Sequence, residues 1–257
     1  MNIQVIVTTM NQKDHSLLEK MNIQSDAIIC NQCDTFSFEE FVYRGHNIKW
    51  FSFAERGVGL NRNNGLMRAT ADIVLFADDD MVYVDGYPEI IKEAFENNID
   101  ADVFILDLAY PNRNVKKILK EEKLSFKKSM RFGGARICAK LSKLRLYGLS
   151  FNLCFGGGTS YSSGEDTLFL KECIEKGLKI YSYPRMIARL SDERESTWFR
   201  GYDSKFFYDK GIVYYLLNKK QAVLYAFYHC FKHRDLYKEY GWLNGFCQMN
   251  KGIKSMK

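Results

Sequence analysis

The sequence has no uninterrupted apolar run of about 18 residues, so a membrane-spanning helix is not expected. Its opening residues carry no basic segment and no cleavage site. Ile3-Gln4-Val5-Ile6-Val7 enters an apolar strand at once, which argues against a signal peptide. Histidine is scarce: His15, His46, His229 and His233 lie away from the chain's acidic clusters, and all four read as surface or core residues. The seven cysteines are odd in number and scattered, which suits a reducing cytosol better than a disulfide framework. Cys30-Asn31-Gln32-Cys33 is a CxxC pair, but no second pair or neighbouring histidine completes a zinc site, so its reading is structural. Acidic residues are nearly absent from residues 112–145, where two face twelve Lys and Arg. That positive charge matches no nucleic-acid-binding module, so nucleic acid is not an expected partner.

What is present suits one large domain with an appendage: 257 residues, 46% hydrophobic and 15% aromatic. Charge divides the chain. Residues 1–111 carry eight Lys and Arg against 18 Asp and Glu, whereas 205–257 carry ten against three. A cation suits the acidic part, and phosphates or anionic lipid suit the two basic parts.

Apolar runs at Val5–Thr9, Ala27–Cys30, Ile48–Phe53, Ile73–Ala77 and Asp102–Leu108 alternate with helical stretches, including one from about Tyr87 to Asn97. This alternation predicts an α/β domain with a mostly parallel sheet flanked by helices, and ligands in such sheets bind beyond the carboxyl ends of the strands. Thr8, Asn31, Asp34 and Asp78-Asp79-Asp80 all fall at such ends. Three adjacent carboxylates repel one another, so the triplet suggests a bound cation; a solvated acidic turn is the competing explanation.

A second acidic pair, Glu165-Asp166, follows Ser162-Ser163-Gly164 and opens a helix that ends near Lys176, before Gly177. Ser163 and Asp166 have the spacing of a capping box. A helix N-terminus also keeps a carboxylate ionised, the resting state of a general base. A metal on one cluster and a base on the other form a template for transfer from a nucleotide diphosphate.

The order VIVTTMN, LNRNNGL, FADDDM and SGEDTLF resembles family 2 glycosyltransferases of the GT-A (Rossmann-like) fold, of the bacterial surface-polysaccharide type, over roughly residues 1–200. The resemblance implies a catalytic domain over 1–204, with a nucleotide-sugar donor half at 1–111 and an acceptor half at 112–204. It implies Mn²⁺ or Mg²⁺ on Asp80 and Asp78, with Asp79 and Asp78 also near the donor ribose, and Thr8 and Arg62 in the nucleotide pocket. Asp166 is similar to the base of an inverting single displacement, with Glu165 beside it for the acceptor. The family's aspartate after the second strand is replaced by Asn31-Gln32-Cys33-Asp34, which passes the base contact to Asn31 or Asp34. A histidine that some relatives place near this chain's Leu190-Ser191-Asp192 is missing. The implied reaction moves a sugar, from a UDP-sugar ahead of other donors, to a hydroxyl of a glycan or lipid-linked acceptor. An inactive scaffold or binding subunit is the rival. A nucleotidyltransferase is disfavoured because Thr8-Thr9-Met10-Asn11-Gln12 lacks glycine.

The glycine run 156–158 would let backbone approach an acceptor, or is a plain loop. Residues 205–257 form a basic, aromatic-rich and helical extension. Its composition suits an anionic membrane interface, a second subunit in a homo-oligomer, or its own catalytic domain. The expected location is the cytoplasm, extending to the inner face of the cell membrane.

Overall fold

A computed structural model describes residues 1–110, 117–130, 132–191 and 201–257. In chain order the elements are β1 (Ile3–Met10), α1 (Leu17–Lys20), β2 (Asp26–Gln32), β3 (Ser37–Tyr43), β4 (His46–Phe53), α2 (Val58–Arg68), β5 (Ile73–Asp78), β6 (Met81–Tyr83) and α3 (Tyr87–Asn97). There follow β7 (Val103–Ala109), β8 (Glu122–Lys123), α4 (Phe126–Ser129), β9 (Ile137–Lys140), α5 (Leu141–Leu146), α6 (Glu165–Glu175) and β10 (Ile180–Leu190). Three helices end the chain: α7 (Ser204–Leu217), α8 (Ala222–Lys232) and α9 (Trp242–Lys254). Asp192 and the segment 195–199 lie outside the described residues.

The strands form one open sheet in the order β3-β4-β2-β1-β5-β9-β7-β10-β6, with β8 beside β10. β1, β2, β4, β5, β7 and β10 share one direction. β9 runs against both β5 and β7 and separates the two parallel sets. It comes from the basic segment 112–145, whose Ile137-Cys138-Ala139 is wholly buried. The first parallel set is covered on both faces, so its strands read as near-continuous apolar runs rather than alternating ones.

Alternate side chains enter two cores. Val5 and Val7 join Leu18, Tyr87, Ile91 and Phe95 on the face covered by α1 and α3. Ile6 and Phe76 join Leu66, Leu144, Phe169 and Leu170 on the face covered by α2, α5 and α6. The period of two along β1 thus assigns each helix to a side. Parallel register sets Thr8 opposite Cys30 of β2 and Asp78 of β5; β1 and β2 run on together to Met10 and Gln32, two residues past the end of β5.

β10 departs from expectation. Its sequence predicts a stop at Pro184, yet the strand continues to Leu190. Its register against β7 slips between Tyr183 and Met186 and again between Met186 and Ala188. The proline sits in that bulge, where no ladder N–H is required. β3, unread in the sequence, is an exposed edge strand carrying Glu39 and Glu40, charges that discourage edge pairing.

α7 packs closely along α9. A side chain at Gly252 would meet the Tyr208 carbonyl, and one at Gly211 would meet that of Met249, so only glycine lets these backbones approach. Among the described residues no helix is long and apolar enough to cross a membrane.

Candidate active site

The parallel register of β1 and β5 places threonines against aspartates. Thr8 Oγ1 donates to Asp78 Oδ1 at 3.1 Å and lies 3.1 Å from the Ala77 carbonyl. Thr9 Oγ1 donates to Asp79 Oδ2 at 2.7 Å and accepts from Gln12 Nε2 at 2.8 Å. The Asp80 carbonyl accepts from Ser191 N at 2.7 Å, which ties the residue after β10 to the aspartate turn.

α2 supplies the link to the second acidic cluster. Its Gly65 packs directly on Ile6 and Cys30 of β1 and β2, and that close contact sets Arg62 at the strand ends. Arg62 is buried, and its guanidinium lies over the Phe151 ring at 5.2 Å. Its Nη2 donates to Asp78 Oδ1 at 3.0 Å. Its Nη1 donates to Asp166 Oδ1 at 2.6 Å and to Glu165 Oε1 at 3.3 Å. One planar fork therefore holds three carboxylates from two distant segments, a geometry that suits arginine better than lysine.

The expected capping box is absent. Gly164 is the N-cap of α6 and no side chain caps the helix. Asp166 turns to Arg62 instead, where a charge-assisted bond of 2.6 Å to a buried guanidinium outweighs a cap. Gly133 and Gly134, unread in the sequence, approach from the other side. A side chain at Gly134 would collide with Asp166 and come within 2.8 Å of the Arg62 guanidinium carbon. The glycine dipeptide was the available signal.

Burial raises both carboxyls of the pair. It pushes Glu165 up to about 7, helped by the neighbouring Asp166 charge and opposed by Arg62. Asp166 is also raised, first by burial, while Arg62 and the Gly134 N–H pull it down. The shorter contact to Arg62 makes Asp166 the ionised member, and Glu165 holds the proton more readily.

The remaining sequence candidates lie apart from this cluster. Asn31 is buried and spends both ends of its amide on the Gln12 backbone, accepting from N at 3.0 Å and donating to O at 3.1 Å. Asp34 is exposed at the rim and pairs with Arg56 at 2.6 Å. Cys30 is buried and Cys33 half-buried, and both are free thiols. His229 sits between the Tyr214 and Tyr237 hydroxyls, at 2.8 and 2.6 Å, inside the C-terminal helices.

The glycine run packs inward. A side chain at Gly156 would come within 2.8 Å of the Glu165 carboxyl carbon, and the Gly157 carbonyl accepts from Val58 N at 3.0 Å. The loop that follows is tied to α7, since Asp209 accepts from Ser162 N at 2.9 Å and Lys205 at 2.8 Å. The C-terminal helices thus brace the acidic pair through their own domain.

Among the described residues, no group of three or more His, Cys, Asp or Glu forms a cage for a metal ion. The acidic turn can still offer one or two carboxylates to a cation that a bound diphosphate also ligates, the usual mode for Mg²⁺.

A family model described as Glycosyl transferase family 2 matches residues 15–159. No curated protein matches the sequence. Among solved structures, S. aureus TarS 1-349 in complex with UDP-GlcNAc superposes with a TM-score of 0.65 at 15% identity, covering 96% of this chain and 75% of that one. The UDP complex of the same protein gives 0.61 at 16% identity, over 87% and 66%. A longer TarS chain gives 0.61 at 15% identity, over 85% of this chain and 40% of its own. At these identities the likeness concerns the fold.

Proposed function

Because the chain belongs to glycosyl transferase family 2, we propose that it moves a sugar from a nucleotide diphosphate, a UDP-sugar first, to a hydroxyl of a glycan or lipid-linked acceptor, inverting the anomeric centre. The observation that carries this reading is Arg62, which joins the aspartate turn to the Glu165-Asp166 pair in one cluster. A donor group and a base must lie this close for a single displacement. That the TarS structures superposing on this chain hold UDP-GlcNAc and UDP supports the choice of nucleotide.

In this reading the donor half is 1–111 and the acceptor half 112–204. Thr8 and Thr9 orient Asp78 and Asp79 toward the ribose and diphosphate. Asp34 carries the base contact with Arg56 beside it, since the Asn31 amide is already committed to Gln12. Asp80 and Asp78 would hold Mn²⁺ or Mg²⁺, which when bound neutralises charge on the diphosphate. Asp166, kept ionised by Arg62, accepts the proton of the attacking hydroxyl. Glu165, more readily protonated, donates a hydrogen bond to the acceptor. The charge division of the chain supports a site of action at the cytoplasmic face of an anionic membrane.

The test is calorimetric titration of UDP, GDP and CMP, each with and without Mn²⁺ or Mg²⁺. Metal-dependent binding of one diphosphate supports the reading and selects the donors to screen. A folded sample that binds none favours the scaffold alternative.

A further inference from the structure

We propose that the outward face of α8 is a docking surface for an anionic lipid bilayer. The helix is turned inside out relative to an ordinary packed helix. Its inward positions are the small residues Ala222, Ala226 and Cys230, all fully buried. Its outward positions are large and apolar: Leu224 is 63% exposed, Phe227 45%, Tyr228 60% and Phe231 48%. These four fall at i, i+3, i+4 and i+7, one continuous stripe along the helix. Packing small residues inward while leaving two phenylalanines about half exposed and a leucine mostly so forgoes burial that the same sequence could have gained.

The stripe widens toward α9. The Trp242 ring lies 6.2 Å from Phe227 and 5.9 Å from Phe231, and Leu243 beside it is exposed. Tryptophan and tyrosine at the margin of an apolar face suit the headgroup level of a bilayer.

Charge decides the occupant. Lys232 lies over the Tyr228 ring at 5.7 Å and Arg234 over Phe231 at 5.1 Å. Lys219 lies over Tyr215 at 5.6 Å, at the loop that leads into the stripe. Of the three acids in 205–257, Asp209 is buried against Lys205, Asp235 pairs with Lys238 at 3.8 Å, and Glu239 is exposed in the segment before α9, against ten Lys and Arg. A second copy docked face to face through this stripe would bring matching cations together. An anionic headgroup layer would neutralise them while the aromatic side chains enter the acyl boundary. The helix, 11 residues long, is too short to span a bilayer and suited to lie in its surface.

The proposal does not depend on the catalytic reading, and its test needs no sugar. The full chain is sedimented with vesicles of phosphatidylcholine alone and of phosphatidylcholine with phosphatidylglycerol. Binding to the anionic vesicles, weakened by added salt, is expected. The double variant Leu224→Glu/Tyr228→Glu should bind about tenfold more weakly or worse, with its melting temperature unchanged. Lys219→Gln/Lys220→Gln/Lys232→Gln should bind more weakly with a shallower salt dependence. Wild-type protein that ignores anionic vesicles overturns the proposal, as does a Leu224→Glu/Tyr228→Glu variant that binds them equally well. A wild-type dimer in sedimentation velocity that this double variant converts to monomer would instead assign the face to a second copy.

Discussion

Arg62 donates to Asp166 at 2.6 Å across 104 residues of sequence, and the same guanidinium holds Asp78 at 3.0 Å. The contact makes one unit of two acidic clusters that would otherwise repel. Removing the cation leaves three carboxylates, each at least partly buried, without the positive charge that holds them together. Arg62→Met is expected to lose about 3–5 kcal/mol of stability, the usual cost of breaking a buried pair. Arg62→Lys should retain part of it, because one ammonium cannot serve both directions of the fork. Urea unfolding of both variants checks this; two variants as stable as wild type would leave the cluster without a structural role.

Asp166→Asn tests the base directly. The amide keeps the shape and can still face Arg62, so nucleotide binding should persist by calorimetry. Transfer should fall by about 10²- to 10⁴-fold, the ordinary contribution of a positioned base. If turnover stays within twofold, the proton goes elsewhere and Asp166 is a structural anchor for Arg62.

Asp80→Asn separates donor binding from the fold. Its carbonyl bond to Ser191 is backbone and survives the substitution. Metal-dependent nucleotide affinity should drop while the melting temperature holds. Equal affinity with and without the substitution removes Asp80 from the metal.

Parts of this arrangement were legible in the sequence for physical reasons. β1 and β5 are buried on both faces, so their apolar runs and the polar residues that end them stand out. The two acidic clusters were visible, but nothing in the sequence shows that Arg62 unites them, because LNRNNGL gives this arginine a helix and not a direction. β3 was missed because its seven residues are largely exposed and carry charge, and β9 because four residues inside a lysine-rich stretch form too short a signal. Ser163 and Asp166 imitate a cap because local spacing is all that a capping rule reads, whereas Arg62 competes from another helix on the same face of the sheet. The inverted face of α8 is hidden for the same reason: an apolar stripe in sequence does not tell which way it points.

Gly164→Ala should weaken the link between the acidic pair and the C-terminal helices. Gly164 has φ of +125° and a side chain there would lie 2.6 Å from Val213 Cγ2 of α7. Both the backbone strain and the clash act at the residue before Glu165. A loss of about 1–3 kcal/mol is expected, with transfer reduced more than nucleotide binding. Unchanged stability would show that α7 yields at no cost and does not brace the pair.

His229 gives the C-terminal helices a pH dependence of known sign. Burial, with the nearby Lys210 charge, lowers it from 6.5 to about 3, and hydroxyls of Tyr214 and Tyr237 occupy its two ring nitrogens. The unfolded chain therefore binds a proton below pH 6.5 that the folded protein refuses until about pH 3. Stability from this group is complete above about 6.5 and is lost progressively as pH falls toward the folded value. His229→Gln keeps a polar side chain between the tyrosines and cannot titrate. At pH 7 the variant should be less stable than wild type, since glutamine fits the two hydroxyls less well. On acidification the two melting temperatures should converge, because only wild type carries the protonation penalty. A gap that stays constant between pH 7 and 4 would mean that His229 takes up its proton at the same pH folded and unfolded, so that burial between the tyrosines does not lower it.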